Sequence, residues 1–335
     1  MAGLCGFLEV KLATRRSERR DGELVVVDRS LSRAVAVPDI APDLQSALDD
    51  WQRLAPQLNE VYAALNENRC AALPFELWQT AAPLPRAYQW LDGSAYLSHV
   101  ARVRKARGAE LPPEMYEDPL MYQGASDDLL GPCDAIVVAD EAWGVDFEAE
   151  IGVITDDVPM GVTVAAAVEH IKLLVLVNDI SLRHLIPGEL AKGFGFLQGK
   201  PATAFSAVAL TPDELGEDWH DGKVHLPLRV HWNDRLFGHA DAGRDMQFSF
   251  PRLLNHAART RRLRAGTILG SGTVSNDDES KGQSCIVEKR VIEIVRSGAA
   301  QTPFMRYGDR VRIEMLDRRG HSLFGAIEQI VQPCP

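Results

Sequence analysis

The sequence contains few cysteines, and they form no pattern. Among its 335 residues there are five, an odd number, with no C-x-x-C pair. A disulfide framework needs an even set of cysteines at suitable spacing, so none is expected here. The absence favours a reducing compartment, and we therefore expect a cytoplasmic protein. The five residues are Cys5, Cys70, Cys133, Cys285 and Cys334.

Positive charge and long apolar runs are also scarce. The chain has 36 basic and 47 acidic residues and a net charge of −11. This argues against a nucleic-acid partner, because binding to phosphates needs a basic surface. The apolar run from Leu173 to Val177 is too short for a bilayer, which takes about 20 helical residues. Residues 1–10 lack a basic start and contain Glu9, so we expect no signal peptide and no membrane association.

The chain has the composition of a globular protein, with 46% hydrophobic and 25% charged residues. Residues 11–38 predict short strands joined by turns. Residues 43–66 carry apolar side chains at helical spacing, and Pro56 is expected to mark either a break or the first turn of a second helix. A proline-rich stretch follows, which predicts a small N-terminal domain over residues 1–80 and a larger domain over 81–335.

From Arg86 onward the sequence is rich in strands and glycine, with few long helices, so we predict an α+β, strand-rich fold. The predicted elements are a helix over 163–171, a buried strand over 172–180, a helical turn over 181–185, a hairpin through Asn233-Asp234, a helix over 250–263, and strands over 287–294 and 309–315.

The stretch from Asp146 to Ile154 alternates like a strand. Apolar residues fall on one face, and Glu148 and Glu150 fall on the other. Two residues along a strand span roughly 6.5–7 Å, so both carboxylates can face one space. If that space is buried, a cation or a proton must neutralise them. The alternative is a solvated edge strand, the commoner explanation of an isolated glutamate pair.

Two further carboxylates are candidates for the same site. Asp179 ends the predicted buried strand, and Asp92 lies in a turn before Gly93. With no thiolate and no paired histidines nearby, such a site offers only oxygen ligands, which suit Mg²⁺, Mn²⁺ or Ca²⁺ and not Zn²⁺. Taken singly, Asp92 is more simply a turn residue and Asp179 a cap.

Four motifs, in this order, resemble the fumarylacetoacetate hydrolase family over residues 85–332. The resemblance implies a mixed β-sandwich/β-roll catalytic domain, preceded by a small N-terminal domain of short strands and helices. The motifs are Asp146-Phe147-Glu148-Ala149-Glu150, Asn178-Asp179-Ile180-Ser181-Leu182-Arg183, Gly199-Lys200 and Gly270-Ser271-Gly272-Thr273-Val274-Ser275.

The resemblance also implies roles for single residues. It implies His99 as the catalytic base and Glu288 as its partner. From the residues alone, His99 is more simply a surface residue of a helix that carries Arg102, Arg104 and Lys105. The implied metal ligands are Asp92, Glu148, Glu150 and Asp179. The further implied catalytic residues are Arg183 and Lys200. The implied substrate contacts are Tyr122, Arg183, Lys200, Gly272 and Thr273.

The chain departs from the fumarylacetoacetase pattern at three places. Ser94 stands where the family has a tyrosine, and Ile186 where it has a glutamine. The loop between Thr273 and Glu288 is one residue longer. These differences touch substrate contacts, so the substrate stays open.

By this resemblance we expect a Mg²⁺-dependent hydrolase (with Ca²⁺ or Mn²⁺ as alternatives) that cleaves a carbon–carbon bond in a 1,3-diketone acid. The substrate would be a small-molecule diketo acid such as fumarylacetoacetate or an acylpyruvate, in the degradation of aromatic amino acids or other aromatic compounds. The resemblance also implies a homodimer. One alternative is a decarboxylase, isomerase or hydratase of a 2-oxo acid on the same fold, and another is a non-catalytic metal-binding protein.

Overall fold

The computed structural model describes residues 8–105 and 110–335. Residues 1–7 lie outside these ranges. They include Cys5 and most of the N-terminal segment in which no signal peptide is expected. The strands are β1 (Lys11–Arg15), β2 (Glu23–Val27), β3 (Arg33–Ala36), β4 (Leu73–Pro74), β5 (Gln89–Gly93), β6 (Met121–Gly124), β7 (Ile136–Val138), β8 (Val145–Asp146), β9 (Ala149–Thr155), β10 (Ile171–Asn178), β11 (Ser181–Leu182), β12 (Ala204–Phe205), β13 (Val208–Leu210), β14 (Trp219–His220), β15 (Lys223–Val224), β16 (Pro227–Trp232), β17 (Arg235–Asp241), β18 (Thr267–Gly270), β19 (Arg310–Met315) and β20 (Ile327–Pro333).

Helices are fewer and mostly short, and the predicted α+β, strand-rich class is confirmed. Six short 3₁₀ segments supplement the α-helices in this part of the chain. No helix in the described ranges is both long and apolar enough to cross a membrane. The α-helices are α1 (Leu44–Asp49), α2 (Trp51–Asn66), α3 (Leu97–Lys105), α4 (Val164–Ala167), α5 (Ile186–Leu190), α6 (Phe250–Ala257) and α7 (Ile286–Ser297).

One large sheet runs through most of the molecule. Its strand order is β4-β3-β2-β1-β13-β10-β9-β18-β5-β6, and β12 pairs with the end of β10. Neighbours along this path are antiparallel except β18 and β5, which are parallel. The N-terminal strands therefore extend the same sheet as the later ones, through the pairing of β1 with β13. The division into residues 1–80 and 81–335 stays a prediction.

The large sheet is covered on both faces. On one face, Leu174 and Leu176 of β10 share a core with the second sheet, ordered β17-β16-β19-β20-β7. On the other face, Leu173 and Val175 of the same strand pack with residues of α1 and α2. A strand buried on both faces needs apolar side chains at every position. This explains the uninterrupted apolar run in β10.

Several predicted elements are confirmed: the strands over residues 11–38, the buried strand that becomes β10, the hairpin through Asn233-Asp234, and β19. Both expectations for Pro56 are wrong, because a second helix does form but begins at Trp51, which places Pro56 inside α2 and beyond its first turn. The chain breaks instead at Asp50, whose backbone is not helical (φ −135°, ψ 43°). The helix predicted over 163–171 begins after the Thr163 cap as expected but changes to a 3₁₀ turn at Val168.

The strand predicted over residues 287–294 is wrong, because these residues belong to α7. Their β-branched side chains favour a strand locally, but packing overrides that preference. The residues that α7 buries, Ile286, Glu288, Val291 and Ile292, lie on one helical face, and Gly298 ends the helix with φ 83°. Two smaller predictions are also wrong. Ser181–Leu182 is a strand paired with β8, not a helical turn, and α6 ends at Ala257, before the predicted 263.

Candidate active site

Five neighbouring strands of the large sheet, β10-β9-β18-β5-β6, bring the predicted site residues to one place. Asp92 was expected in a turn, but it lies in β5 and pairs directly with Tyr122 in β6, because β5 is hydrogen-bonded between two neighbouring strands. Glu150 lies in β9 opposite Val177 of β10, and Asp179 follows the last residue of β10. Residues far apart in sequence meet because their strands are hydrogen-bonded side by side.

Three of the four predicted metal ligands form one buried cluster. Carboxylate oxygens of Asp92, Glu150 and Asp179 all lie within 4.8 Å of one another. Glu150 and Asp179 are fully buried, and Asp92 is 6% exposed. Neither side-chain oxygen of Glu150 has a hydrogen-bond partner within residues 8–105 and 110–335. A buried carboxylate without a partner is costly, and a divalent cation with oxygen ligands relieves that cost.

Electrostatics also mark this cluster as a place for positive charge. Burial, followed by the charge of Asp179, raises the pKa of Asp92 well above its usual value. Burial, followed by the charge of Asp92, raises the pKa of Glu150 in the same way. Without a cation, the cluster therefore tends to bind protons. These residues fit a hard divalent ion.

Glu148 has different surroundings from Glu150. The single strand predicted over 146–154 is interrupted, since β8 ends at Asp146 and β9 begins at Ala149. The Glu148 carboxylate accepts hydrogen bonds from Arg183 Nη2 and, at 2.9 Å, from Lys200 Nζ. Burial alone would raise the pKa of Glu148, but these two cations more than offset it and the pKa is lowered. Its role as a metal ligand stays a prediction.

Lys200 is buried beside the cluster, Arg183 is partly buried there, and both contact its neighbour Glu148. Arg183 Nε donates to Asp146 Oδ2 at 2.7 Å. Lys200 Nζ donates to Asp179 Oδ2 as well as to Glu148. Asp179 also accepts hydrogen bonds from Tyr122 (2.7 Å) and Thr203 (3.0 Å). The two cations partly neutralise the carboxylates, which limits repulsion among them.

His99 and Glu288 form a close pair between two helices. His99 lies on α3 and Glu288 in the first turn of α7, and His99 Nδ1 donates to Glu288 Oε2 at 2.7 Å. The Glu288 side chain is 1% exposed and that of His99 is 18% exposed. Burial would raise the pKa of Glu288, but His99 and then Arg102 offset it and hold the pKa below its usual value. Glu288 is therefore an anion that orients the imidazole.

Two residues that position this pair were not predicted from the sequence. Asp146 accepts the backbone N–H groups of Ile286 (2.7 Å) and Val287 (2.9 Å), which fixes the start of α7. Arg102 Nη1 donates to Glu288 Oε1 at 2.5 Å. The position of Asp146 at the start of the E-x-E motif could have indicated a role at the site. That role was missed because α7 was expected to be a strand, which has no N-terminal N–H groups to cap.

A cleft of about 280 Å³ opens over these groups. Its lining includes the predicted substrate residues Tyr122, Gly272 and Thr273, and both departures from the family pattern, Ser94 and Ile186. The backbone at Gly272 has φ 76°, and a Cβ there would lie 2.2 Å from a backbone oxygen of the neighbouring strand, so only glycine fits. The Gly272 N–H donates to Asp92 Oδ1 at 3.0 Å.

Comparison with known families agrees with this geometry. Residues 89–332 match the fumarylacetoacetate (FAA) hydrolase C-terminal model, and residues 10–86 match the fumarylacetoacetase N-terminal domain 2 model. The chain belongs to the fumarylacetoacetate hydrolase family. The predicted family is thereby confirmed.

Individual relatives of this fumarylacetoacetate hydrolase family member are distant. The 2,4-didehydro-3-deoxy-L-rhamnonate hydrolase of Sphingomonas sp. (strain SKA58) is 28% identical over 175 residues, which is 51% of this chain and 58% of that protein. The match thus spans less than two thirds of the relative's length.

Solved structures share the fold over nearly the whole chain. Maleylpyruvate hydrolase from Sphingobium sp. SYK-6, solved with manganese(II) ion and pyruvate, gives a TM-score of 0.64 at 16% identity and covers 97% of this chain and 100% of that one. A 2-hydroxyhepta-2,4-diene-1,7-dioate isomerase from Mycobacterium marinum gives 0.60 at 15% identity and covers 97% and 98%. At this identity the likeness shows the fold alone, which hosts both hydrolases and isomerases.

Proposed function

We propose that the protein is a metal-dependent hydrolase that cleaves the carbon–carbon bond of a 1,3-diketone acid, such as fumarylacetoacetate or a related acylpyruvate. We place it in the degradation of aromatic amino acids or aromatic compounds. The observation that carries the proposal is the His99–Glu288 pair, because His99 lines the same cleft as Asp92 of the carboxylate cluster. A cation site with a histidine base beside it suits activation of water.

The cluster of Asp92, Glu150 and Asp179, with Glu148 at its side, would hold Mg²⁺, with Ca²⁺ or Mn²⁺ as alternatives. When bound, such an ion acts as a Lewis acid that draws electron density from the oxygens of a diketone. The unpartnered Glu150 carboxylate is the feature of this chain that supports a cation here.

His99 is placed to act as general base. Its Nδ1 is engaged by Glu288, so Nε2 is the nitrogen that accepts a proton from water. Oxygen of that water forms a bond to the acyl carbonyl carbon, and the bond from this carbon to the central carbon breaks. His99 then returns the proton to the central carbon. An acylpyruvate and water thus give a carboxylic acid and pyruvate.

The cationic side chains would bind the anionic part of the substrate. Arg183 and Lys200 line the cleft and lie against Glu148, so they face both the cluster and the bound molecule. Tyr122, Gly272 and Thr273 border the same space. The Tyr122 hydroxyl and the Gly272 N–H already donate to Asp179 and Asp92. The Thr273 hydroxyl would therefore be the donor to the substrate, and the Tyr122 oxygen would accept a hydrogen bond, which fixes the substrate's orientation.

The test is loss of diketone absorbance for a panel of 2,4-dioxo acids, including fumarylacetoacetate and fumarylpyruvate, with Mg²⁺ and with EDTA. We expect cleavage with Mg²⁺ that EDTA abolishes. His170→Ala is the matched control for His99→Ala, because His170 also pairs with a carboxylate, that of Asp156, but lies outside the cleft lining. If no member of the panel is cleaved, the hydrolase proposal fails.

The alternative reaction, a decarboxylation, isomerisation or hydration of a 2-oxo acid, would use the same carboxylate cluster. Decarboxylation and isomerisation do not need a water-activating base, so the His99–Glu288 pair favours hydrolysis over them. Product analysis by mass spectrometry distinguishes these reactions, since only hydrolysis yields two acids. A non-catalytic metal protein would have no use for that pair in the cleft.

The expected homodimer and cytoplasmic location stay predictions. Light scattering at micromolar protein concentration tests the first, and a monomer would contradict it. Fractionation of the source cells tests the second.

A further inference from the structure

The cleft has a charged floor and an apolar wall, and they come from different elements. The floor consists of Asp92 in β5, Glu148 between β8 and β9, and Lys200 in the loop before β12. The wall is formed by α3, α5, the start of α7 and the segment after α5. Its side chains include Val100, Val103, Ile186, Leu190, Phe196 and Val287.

The apolar wall adjoins the carboxylate cluster. Tyr122 donates its hydroxyl to Asp179 in the cluster, and the Phe196 ring packs edge-on against Tyr122 with ring centroids 5.1 Å apart. Leu190 at the outer side of the cleft is 45% exposed. A substrate whose oxygens reach the cluster must therefore place the rest of its length along apolar side chains.

The two cationic side chains that would bind the substrate's 2-oxo carboxylate already form ion pairs within the protein. Arg183 pairs with Asp146 and Glu148, and Lys200 pairs with Glu148 and Asp179. The cleft lining, so far as the structure describes it, contains no other lysine or arginine. A second carboxylate on the substrate would lie against the apolar wall with no counter-charge among the described lining residues, and burying an unpaired charge is costly.

We infer that the acyl group of the substrate is uncharged and apolar. This rests on the proposed function and narrows it. The preferred substrate is a monocarboxylic 2,4-dioxo acid with an aliphatic or aryl acyl group, and not a dicarboxylic one such as fumarylpyruvate. Ile186 contributes to the apolar wall that would produce this preference.

The test compares hexanoylpyruvate and benzoylpyruvate with fumarylpyruvate, all with the Mg²⁺-loaded enzyme. We expect kcat/KM to be at least about tenfold higher for the two apolar compounds, the smallest discrimination that an apolar pocket usually gives. An equal or higher value for fumarylpyruvate would overturn the inference and leave the hydrolase proposal intact.

A binding measurement distinguishes the inference about the acyl group from the hydrolase proposal when the wild-type enzyme cleaves none of the compounds. The same three compounds are titrated calorimetrically into the Mg²⁺-loaded His99→Asn protein, which retains the wall and the cluster. Tighter binding of the apolar compounds supports the inference even if the wild-type enzyme cleaves none of them. Tighter or equal binding of fumarylpyruvate overturns it.

A variant of the wall tests the cause of the preference. Leu190→Arg places a guanidinium beside the acyl group, and we expect the ratio of kcat/KM for hexanoylpyruvate over fumarylpyruvate to fall by about tenfold. The matched control is Leu236→Arg on β17, an exposed leucine outside the cleft lining, which should leave the ratio unchanged. An unchanged ratio in Leu190→Arg would count against the inference.

Discussion

Arg102 and His99 hold opposite oxygens of the same carboxylate. Arg102 Nη1 donates to Glu288 Oε1 at 2.5 Å, and His99 Nδ1 donates to Oε2 at 2.7 Å. Arg102 also donates to Ser275 Oγ at 2.9 Å and to the Asn276 backbone oxygen at 2.8 Å. It thus fixes the carboxylate and attaches α3 to the loop before α7.

We expect Arg102→Met to lower kcat/KM by about 10²-fold, because a small displacement of the base has an effect of that size. A loss of positive charge also raises the pKa of Glu288, since Arg102 is one of the groups that lower it. The His99–Glu288 pair should therefore take up a proton at higher pH, and the acidic limb of the kcat/KM profile should move to higher pH with it. Arg102→Lys should restore part of the rate.

Arg104→Met is the control for this prediction, because Arg104 lies on the same helix and contacts the Glu110 backbone, not Glu288. Its profile should match that of the wild type. A lower rate in Arg102→Met with an unmoved acidic limb would reduce Arg102 to a general structural role.

His99→Ala should lower kcat by roughly 10²–10⁴-fold, the usual range for one acid–base residue. Metal affinity, measured calorimetrically, should hardly change, because His99 is not a proposed ligand. Glu288→Gln should cause a smaller loss, since it orients the imidazole without carrying the proton. Wild-type kcat in His99→Ala would remove this histidine from the reaction and favour the isomerase or decarboxylase alternative.

Removing the metal should make stability depend on pH in a defined direction. Asp92 and Glu150 have raised pKa values in the folded protein, so the folded state binds their protons more tightly than the unfolded state does. Stability then falls as pH rises above about 4.5, the value of an ordinary glutamate, and up to the raised pKa. We expect the Tm in EDTA to be higher at pH 5 than at pH 7.5, with Mg²⁺ abolishing much of the difference.

Glu150→Gln should flatten this dependence and raise the Tm in EDTA, because it removes one of the mutually repelling charges. The same variant should gain little from Mg²⁺, whereas a ligand present at 100 times its Kd stabilises the wild type by about 2.7 kcal/mol. Glu76→Gln, at an exposed position, is the control. Equal Mg²⁺ stabilisation of Glu150→Gln and wild type would show that Glu150 is not a ligand.

Glu148→Ala should have the opposite effect on the metal-free protein. Its carboxylate is bound by Arg183 and Lys200, and the variant would deprive both buried cations of a partner. Breaking a buried pair typically costs about 3–5 kcal/mol. Thermal melting in EDTA checks this, and a Tm above that of the wild type would contradict the assignment of different roles to the two glutamates.

The sequence predicted the strand-rich class and two of the five strands at the site, β9 and β10, because alternation and apolar runs are local signals. β10 is an example, since its unbroken apolar run follows from burial on both faces. Local signals failed at α7, where β-branched residues favoured a strand and the helix is fixed by Asp146, 140 residues away in sequence. Only the family resemblance pointed to His99 and Glu288 together, because 189 residues separate them. Nothing in the spacing distinguished Glu148 from Glu150, whose surroundings depend on where Arg183 and Lys200 reach.

The pairing of β1 with β13 has a consequence for how the chain folds. β13 lies between β1 and β10 in the large sheet, and α1 and α2 cover the face that carries Leu173 and Val175. A fragment beginning at residue 81 would leave the β13 edge unsatisfied and that apolar face in water, two features that promote aggregation. The segments matched by the two family models therefore depend on each other for solubility, and the intact chain should melt in a single cooperative transition. Loss of the first 80 residues would also disturb the active site, because it would expose β10, the strand that leads to Asp179.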